Sequence, residues 1–236
     1  MNKEFNNYAK QFDLKVFDIM EKFHHSYRVR EYALDIGKSL NMNEEELNLL
    51  SLCSLLHDIA RFKQFTEYST FKDFESFDHG DVGSQILKED NFIDKFTKNK
   101  EEQEVIFFTV KNHNKKEIEP GTEKQILFSK IVRDADKLDI MMEQGNIIRE
   151  DNLEINPILL EEIKKGKLCS NIYTVNKADS IIRMLSFIYD INFDKSFEII
   201  LKNNIVENKI NLLEIYTTNN NLEEIKENLL KYIKER

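Results

Sequence analysis

His57-Asp58 is one step in a longer series, preceded by His25 and followed by His79, His113 and Asp136. The series supplies imidazole nitrogens and carboxylate oxygens, the donors that borderline and hard divalent ions select. The chain contains five histidines, and the series takes all of them but His24, which points to a shared metal site rather than to scattered surface residues.

Such a site requires elements that aim these groups at one point. Apolar residues recur at intervals of three and four, as in Phe12, Val16, Ile19 and Phe23, then Val29, Ala33, Ile36 and Leu40, then Leu49, Leu52, Cys53 and Leu56. That is helix period, and with only two prolines and six glycines to interrupt it the chain reads as all-α. Asn43 before Glu44-Glu45-Glu46 forms an N-cap signature for a helix expected to end near Ala60, which puts His57 and Asp58 towards its C-terminal end. From Arg61 to Asp78 the period fails and aromatics crowd in (Phe62, Phe65, Tyr68, Phe71, Phe74, Phe77), the pattern of a loop or short-helix insertion. Asp78 caps a further helix that starts at His79. Helices follow at about 101–113 and 123–144, the second capped by Thr122, and beyond Gly145 at 158–165, 179–189, 195–203 and 222–233. Histidines stop before residue 150, so residues 1–150 are read as the metal-binding domain and 151–236 as a helical cap packed on it.

Helical spacing also sorts the candidates by face. His25 shares its face with Val29, Tyr32 and Ile36, whereas His24 lines up with Arg28, Glu31 and Asp35. Asp136 lines up with Phe128, Val132 and Ile140, which separates it from Asp134 and Asp139. His57 falls with Leu50 and Cys53, His79 with Val82 and Ile86, and His113 with Ile106 and Thr109. Any one of these histidines alone reads equally as a core residue satisfied by a hydrogen bond. Together the inward imidazoles and carboxylates would need separate polar compensations, and a lone buried carboxylate costs several kcal/mol. A bound cation compensates them at once.

Composition narrows the class of protein. A chain of 236 residues with 41% hydrophobic content is long enough to bury a sizeable core. Its net charge of −9 argues against stable binding along a nucleic-acid backbone. Cys53 and Cys169 lie far from any CxxC spacing, so neither disulfides nor a thiolate site are implied. With no signal-like apolar region and no run of eighteen apolar residues, a cytoplasmic protein without a membrane span is expected.

His25, His57-Asp58 and Asp136, together with the words His57-Asp58-Ile59-Ala60-Arg61 and Arg133-Asp134-Ala135-Asp136-Lys137-Leu138-Asp139, resemble the HD-domain superfamily of metal-dependent phosphohydrolases over roughly residues 20–145. The resemblance implies an HD-domain-like helical bundle with a C-terminal helical extension. Members with two further histidines between the HD pair and the last aspartate tend to hold two metals, and His79 and His113 occupy those places. By that analogy Asp58 bridges the ions, His25, His57 and Asp136 hold one, and His79 and His113 the other. A mononuclear site would leave His79 and His113 as phosphate-contacting or acid groups. Iron, manganese, zinc, nickel and magnesium all suit these donors. The implied reaction is attack on phosphorus by a metal-activated water that Asp58 orients. Arg61 takes the place of a phosphate contact in relatives, or else simply serves the helix C-terminus electrostatically. Arg28, Asn112, Lys115 and Lys137 are further phosphate-contact candidates, and Asp139 is a candidate to orient an imidazole.

The departures narrow the substrate. HDxxED, HxPFGH and GYP signatures are all missing, which argues against alarmone, deoxynucleoside triphosphate and cyclic-di-GMP hydrolysis. A small phosphomonoester or phosphodiester remains, most simply a nucleotide, with the aromatic run 62–77 as a base-stacking lid or as local packing. Two other readings share the ligand set: a di-iron oxygenase on a related scaffold, and a non-catalytic nucleotide sensor. The helix carrying Leu222, Ile225, Leu229 and Ile233 reads as a core-docking element or as the face of a homo-oligomer.

Overall fold

A computed structural model describes residues 2–143, 152–218 and 221–236, and every regular element among them is helical. The boundary expected near residue 150 lies outside the described residues. The chain forms two compact units, Met1–Asp136 and Lys137–Arg236.

The first unit contains α1 (Asn2–Ala9), α2 (Phe17–Ser39), α3 (Glu44–Leu56), α4 (Ile59–Tyr68), α5 (His79–Lys88), α6 (Lys100–Asn112) and most of α7 (Glu123–Met142). Helix α2 packs on α3 and α4, α5 on α4 and α6, and α3 on α6. The starts of these helices are set by local chemistry. Asn43 accepts from Glu46 N at 3.0 Å while Glu46 Oε2 accepts from Asn43 N at 2.9 Å, a complete capping box. Thr122 and Gln125 make the equivalent reciprocal pair before α7. Asp78 caps α5 by accepting from Asp81 N at 2.9 Å. Phe5 of α1 closes one end of the core against the rings of Phe23, Tyr27 and Phe62, at centroid distances of 5.9, 5.8 and 6.0 Å.

The helix opened by Asn43 ends at Leu56 rather than near Ala60, because Asp58 leaves the helical region (φ −101°, ψ 22°) and α4 restarts at Ile59. The segment 61–78 contains both a helix and a loop. Apolar period fades in α4 because the inward position next to Phe62 is taken by a fully buried glutamine, Gln64. Ser69, at φ 54°, ends α4 with its N–H on Phe65 O, and residues 69–78 follow with a single 3-10 turn at Asp73–Glu75.

The second unit contains α8 (Pro157–Lys164), α9 (Lys177–Ser186), α10 (Asp194–Lys202), α11 (Ile205–Glu214) and α12 (Leu222–Lys234). Leu222, Ile225, Leu229 and Ile233 of α12 are buried, against α8 and α11. No described helix is long and apolar enough to cross a membrane.

Helices α5 and α6 approach closely at two glycines. A Cβ on Gly83 would lie 3.0 Å from Val110 Cγ1, an atom that can shift, whereas one on Gly80 would lie 2.8 Å from the carbonyl oxygen of Lys111, which cannot shift without moving α6. Gly80→Ala is therefore expected to destabilise the protein by about 1–3 kcal/mol in urea titrations, and Gly83→Ala by less. Equal costs for the two would show that the backbone approach at Gly80 is not the tighter constraint.

Candidate metal centre

All the expected donors belong to the first unit, and five helices deliver them. His25 comes from the middle of α2, His57 from the residue after α3, Asp58 from the break before α4, His79 from the first position of α5, His113 from the residue after α6 and Asp136 from α7. Asp58 occupies an N-cap position yet caps nothing with its side chain. Such a cap is worth about 1 kcal/mol, and here the carboxylate is aimed at the imidazoles instead. Its Oδ2 lies 3.4 Å from His25 Nε2 and 3.6 Å from His57 Nε2, and its Oδ1 lies 3.5 Å from both His79 Nε2 and His113 Nε2. Asp136 Oδ1 joins the first pair, 3.1 Å from His25 Nε2 and 3.7 Å from His57 Nε2. Two groups of donors, His25–His57–Asp136 and His57–Asp58–His113, are each close enough to share one ion.

The far nitrogens of the rings decide what the near ones present. His57 Nδ1 lies 2.7 Å from Ser54 O, and His113 Nδ1 lies 2.7 Å from Val110 O. A carbonyl only accepts, so both Nδ1 atoms carry the hydrogen and both Nε2 atoms keep a bare lone pair. His79 Nδ1 sits 2.7 and 2.9 Å from the two oxygens of Asp73, with the same consequence. The Nε2 atoms of His79 and His113 then face each other at 3.0 Å with lone pairs opposed, and those of His25 and His57 stand 3.3 Å apart. Opposed lone pairs beside a carboxylate repel unless a cation lies among them, so the residues fit a divalent metal.

The charge states that the surroundings favour agree with that fit. Burial lowers His57, and burial together with the Arg61 guanidinium pushes His79 down to about 4, so both rings are neutral ligands at neutral pH. Burial by itself would raise the carboxyls of Asp58 and Asp136. The Lys22 ammonium leads in holding Asp58 well below the usual carboxylate range, and the hydrogen bond from His25 Nε2, 3.1 Å away, does the same for Asp136.

The neighbours expected to contact phosphate are placed differently from one another. Arg61 Nη1 donates to Gln64 Oε1 and Phe71 O, each at 2.6 Å, and to Asp73 Oδ1 at 3.1 Å, while its Nε lies 3.4 Å from Asp58 Oδ1. It sits in the first turn of α4, so service at a helix C-terminus is not its role. Arg28 is partly exposed and pairs with Glu21 at 3.2 Å. Asn112 is fully buried, donating to Phe108 O at 3.0 Å and accepting from Glu119 N at 2.9 Å, so its amide is committed within the fold. Lys115 pairs with Asp78 and Asp81, both at 2.8 Å, and Lys137 with Asp190 at 2.9 Å. The separation of Asp136 from Asp134 and Asp139 by burial is corrected: those two are buried, and Asp136 is the one whose side chain is one-fifth exposed. Asp136 is distinguished by its reach to His25, not by depth.

Sequence reasoning missed two groups. Lys22 Nζ lies 2.8 Å from Asp58 Oδ2 and was discoverable, since it precedes His25 by three residues on one helix face. Asp73 lies in the aperiodic segment, where no spacing rule assigns direction. Arg133, noted only as part of a motif, is buried and donates to the carbonyl oxygens of Asn112, His113 and Lys115, which fixes the chain that carries His113.

A family model described as HD domain matches residues 23–141, half of the chain and all of the donor series. The chain belongs to the HD domain family, and its clustered histidines and aspartates make it a metal-dependent hydrolase in general terms. Searches of curated proteins and of solved structures returned no match.

Metal-free protein should show a specific pH response. An unfolded imidazole titrates near 6.5 and folded His79 near 4, so between those values the unfolded chain binds more protons and stability falls as pH falls. Denaturant midpoints are expected to drop from pH 6.5 towards pH 4, and less so in His79→Gln. A variant profile parallel to the parent's would remove His79 as the source.

Proposed function

We propose that this protein hydrolyses a phosphomonoester or phosphodiester of a nucleotide, using two divalent ions held on either side of Asp58. The observation that supports the reading is the division of the Asp58 carboxylate, with one oxygen towards His25 and His57 and the other towards His79 and His113. In this reading His25, His57 and Asp136 would hold one ion, His79 and His113 the other, and Asp58 would contribute to both. When bound, such ions supply a hydroxide-strength nucleophile near neutral pH and offset charge on phosphoryl oxygens.

The chain's own groups do the remaining work. Asp58, ionised and flanked by Lys22 and Arg61, orients the attacking water by accepting its hydrogen bond. The ring of Phe71 lies under both cations, 5.3 Å from Lys22 Nζ and 5.6 Å from the Arg61 guanidinium carbon, and holds them beside the donor set. Lys22 is the simpler phosphate contact, since it pairs with Asp58 while Arg61 also secures the loop. Arg28 supplies a further cation from α2. Most aromatics of the run pack locally, as Phe65 does on Phe71 and Tyr68 on Phe77. Phe74 is 63% exposed next to Asp73 and offers a face for a nucleobase.

A phosphate-release screen over nucleotides with metal-stripped protein tests this. Activity is expected to require added divalent ion, to proceed with manganese without oxygen, and to fall by about 100-fold in Asp58→Ala, the upper end of what loss of a group that orients a metal site costs. Undiminished phosphate release by Asp58→Ala, or a requirement for oxygen, would sink the proposal.

A further inference from the structure

Asp73 opens the short turn in the 69–78 loop, and donors from three elements converge on its carboxylate. His79 Nδ1 donates at 2.7 Å to Oδ2 and 2.9 Å to Oδ1, Arg61 Nη1 at 3.1 Å and Gln64 Nε2 at 3.0 Å to Oδ1, and Asn114 Nδ2 at 3.2 Å to Oδ2. The loop is anchored around it by Gln64, whose amide also donates to Ser76 Oγ at 2.8 Å and Phe77 O at 3.1 Å. With Arg61 and Gln64 donating to one oxygen and Asn114 to the other, the Asp73 carboxylate is placed as an acceptor throughout.

The imidazoles of His57 and His113 are oriented by carbonyls three residues earlier on their own helices. His79, as the first residue of α5, has no such carbonyl at hand and takes its orientation from the loop. We infer that Asp73 is a positioning residue, which by accepting the Nδ1 hydrogen fixes the His79 tautomer with Nε2 bare and so links the 69–78 loop to ion binding at His79 and His113. The link to ion binding rests on the two-ion reading above; the tautomer does not. A carboxylate that merely stapled the loop would leave both properties of His79 intact when replaced.

The test uses the full chain labelled with 15N-histidine. Long-range proton–nitrogen correlation on metal-free protein, with His79 assigned by its loss in His79→Gln, is expected to show Nδ1–H in the parent. In Asp73→Asn and Asp73→Ala the Nε2–H form should appear. Calorimetric titration with Mn2+ is expected to show the second equivalent weakened about 10- to 100-fold in both variants, with the first equivalent unchanged and reporting an intact fold. A parent whose His79 is Nε2–H overturns the inference without any variant. So does an unaltered tautomer in the variants, or an altered one with undiminished affinity for the second equivalent. If the parent binds only one equivalent while the Asp73 variants lose the tautomer, the positioning of His79 stands and the two-ion reading falls.

Discussion

One ionised carboxylate, that of Asp58, stands buried between two pairs of imidazoles, and the surrounding helices are arranged to keep it there. Water is a better solvent for such a group than a protein interior, by several kcal/mol even after relaxation. Lys22 at 2.8 Å and Arg61 at 3.4 Å supply the positive charge that opposes this cost. The backbone concedes something too. The helix that begins at Asn43 breaks at Asp58, and the N-cap that an aspartate would ordinarily provide to α4 is given up. Local rules are broken here in favour of a site, which is where such departures are expected.

The convergence is ordered because the rings of His57, His79 and His113 are held from behind. His57 and His113 sit within a turn of the carbonyls that take their Nδ1 hydrogens, so folding of α3 and α6 orients them with no further contact. Arg133 then fixes the segment after α6, and three residues along the same helix Asp136 reaches His25 and His57. A single turn of α7 thus ties one pair of imidazoles to the backbone beside the other. His79 is held differently, by a side chain from a loop. Ordering of the two halves therefore draws on different parts of the chain: secondary structure alone for most donors, loop closure in addition for His79.

This difference explains what could be read from the sequence. Every donor was identifiable from residue type and helical spacing, because helices translate position into direction. His25 was separated from exposed His24 on that basis, and the structure places them so. The same test misjudged Asp134 and Asp139, since helix α7 is buried on more than one side and facing inward is no longer distinctive there. Helix α4 was blurred because Gln64 occupies an inward position for the sake of the loop it anchors. Asp73 was out of reach of any spacing rule, since its direction is decided by Arg61, Gln64 and Asn114 rather than by its neighbours in sequence.

The groups legible in sequence and those that were not also differ in what they can vary. The clustered histidines and aspartates lie on packed helices or at their ends, where geometry is constrained by contacts such as Gly80 against Lys111 O, and a shift of one ring would disturb the rest. Phe71, Asp73 and Phe74 lie on a loop whose length and side chains can change while α4 and α5 stay in place. The loop nevertheless touches the centre through Asp73 and Arg61. A loop that both borders the site and holds one of its imidazoles can change only within limits: the exposed ring of Phe74 is free to differ, but the Asp73 carboxylate beside it is tied to His79.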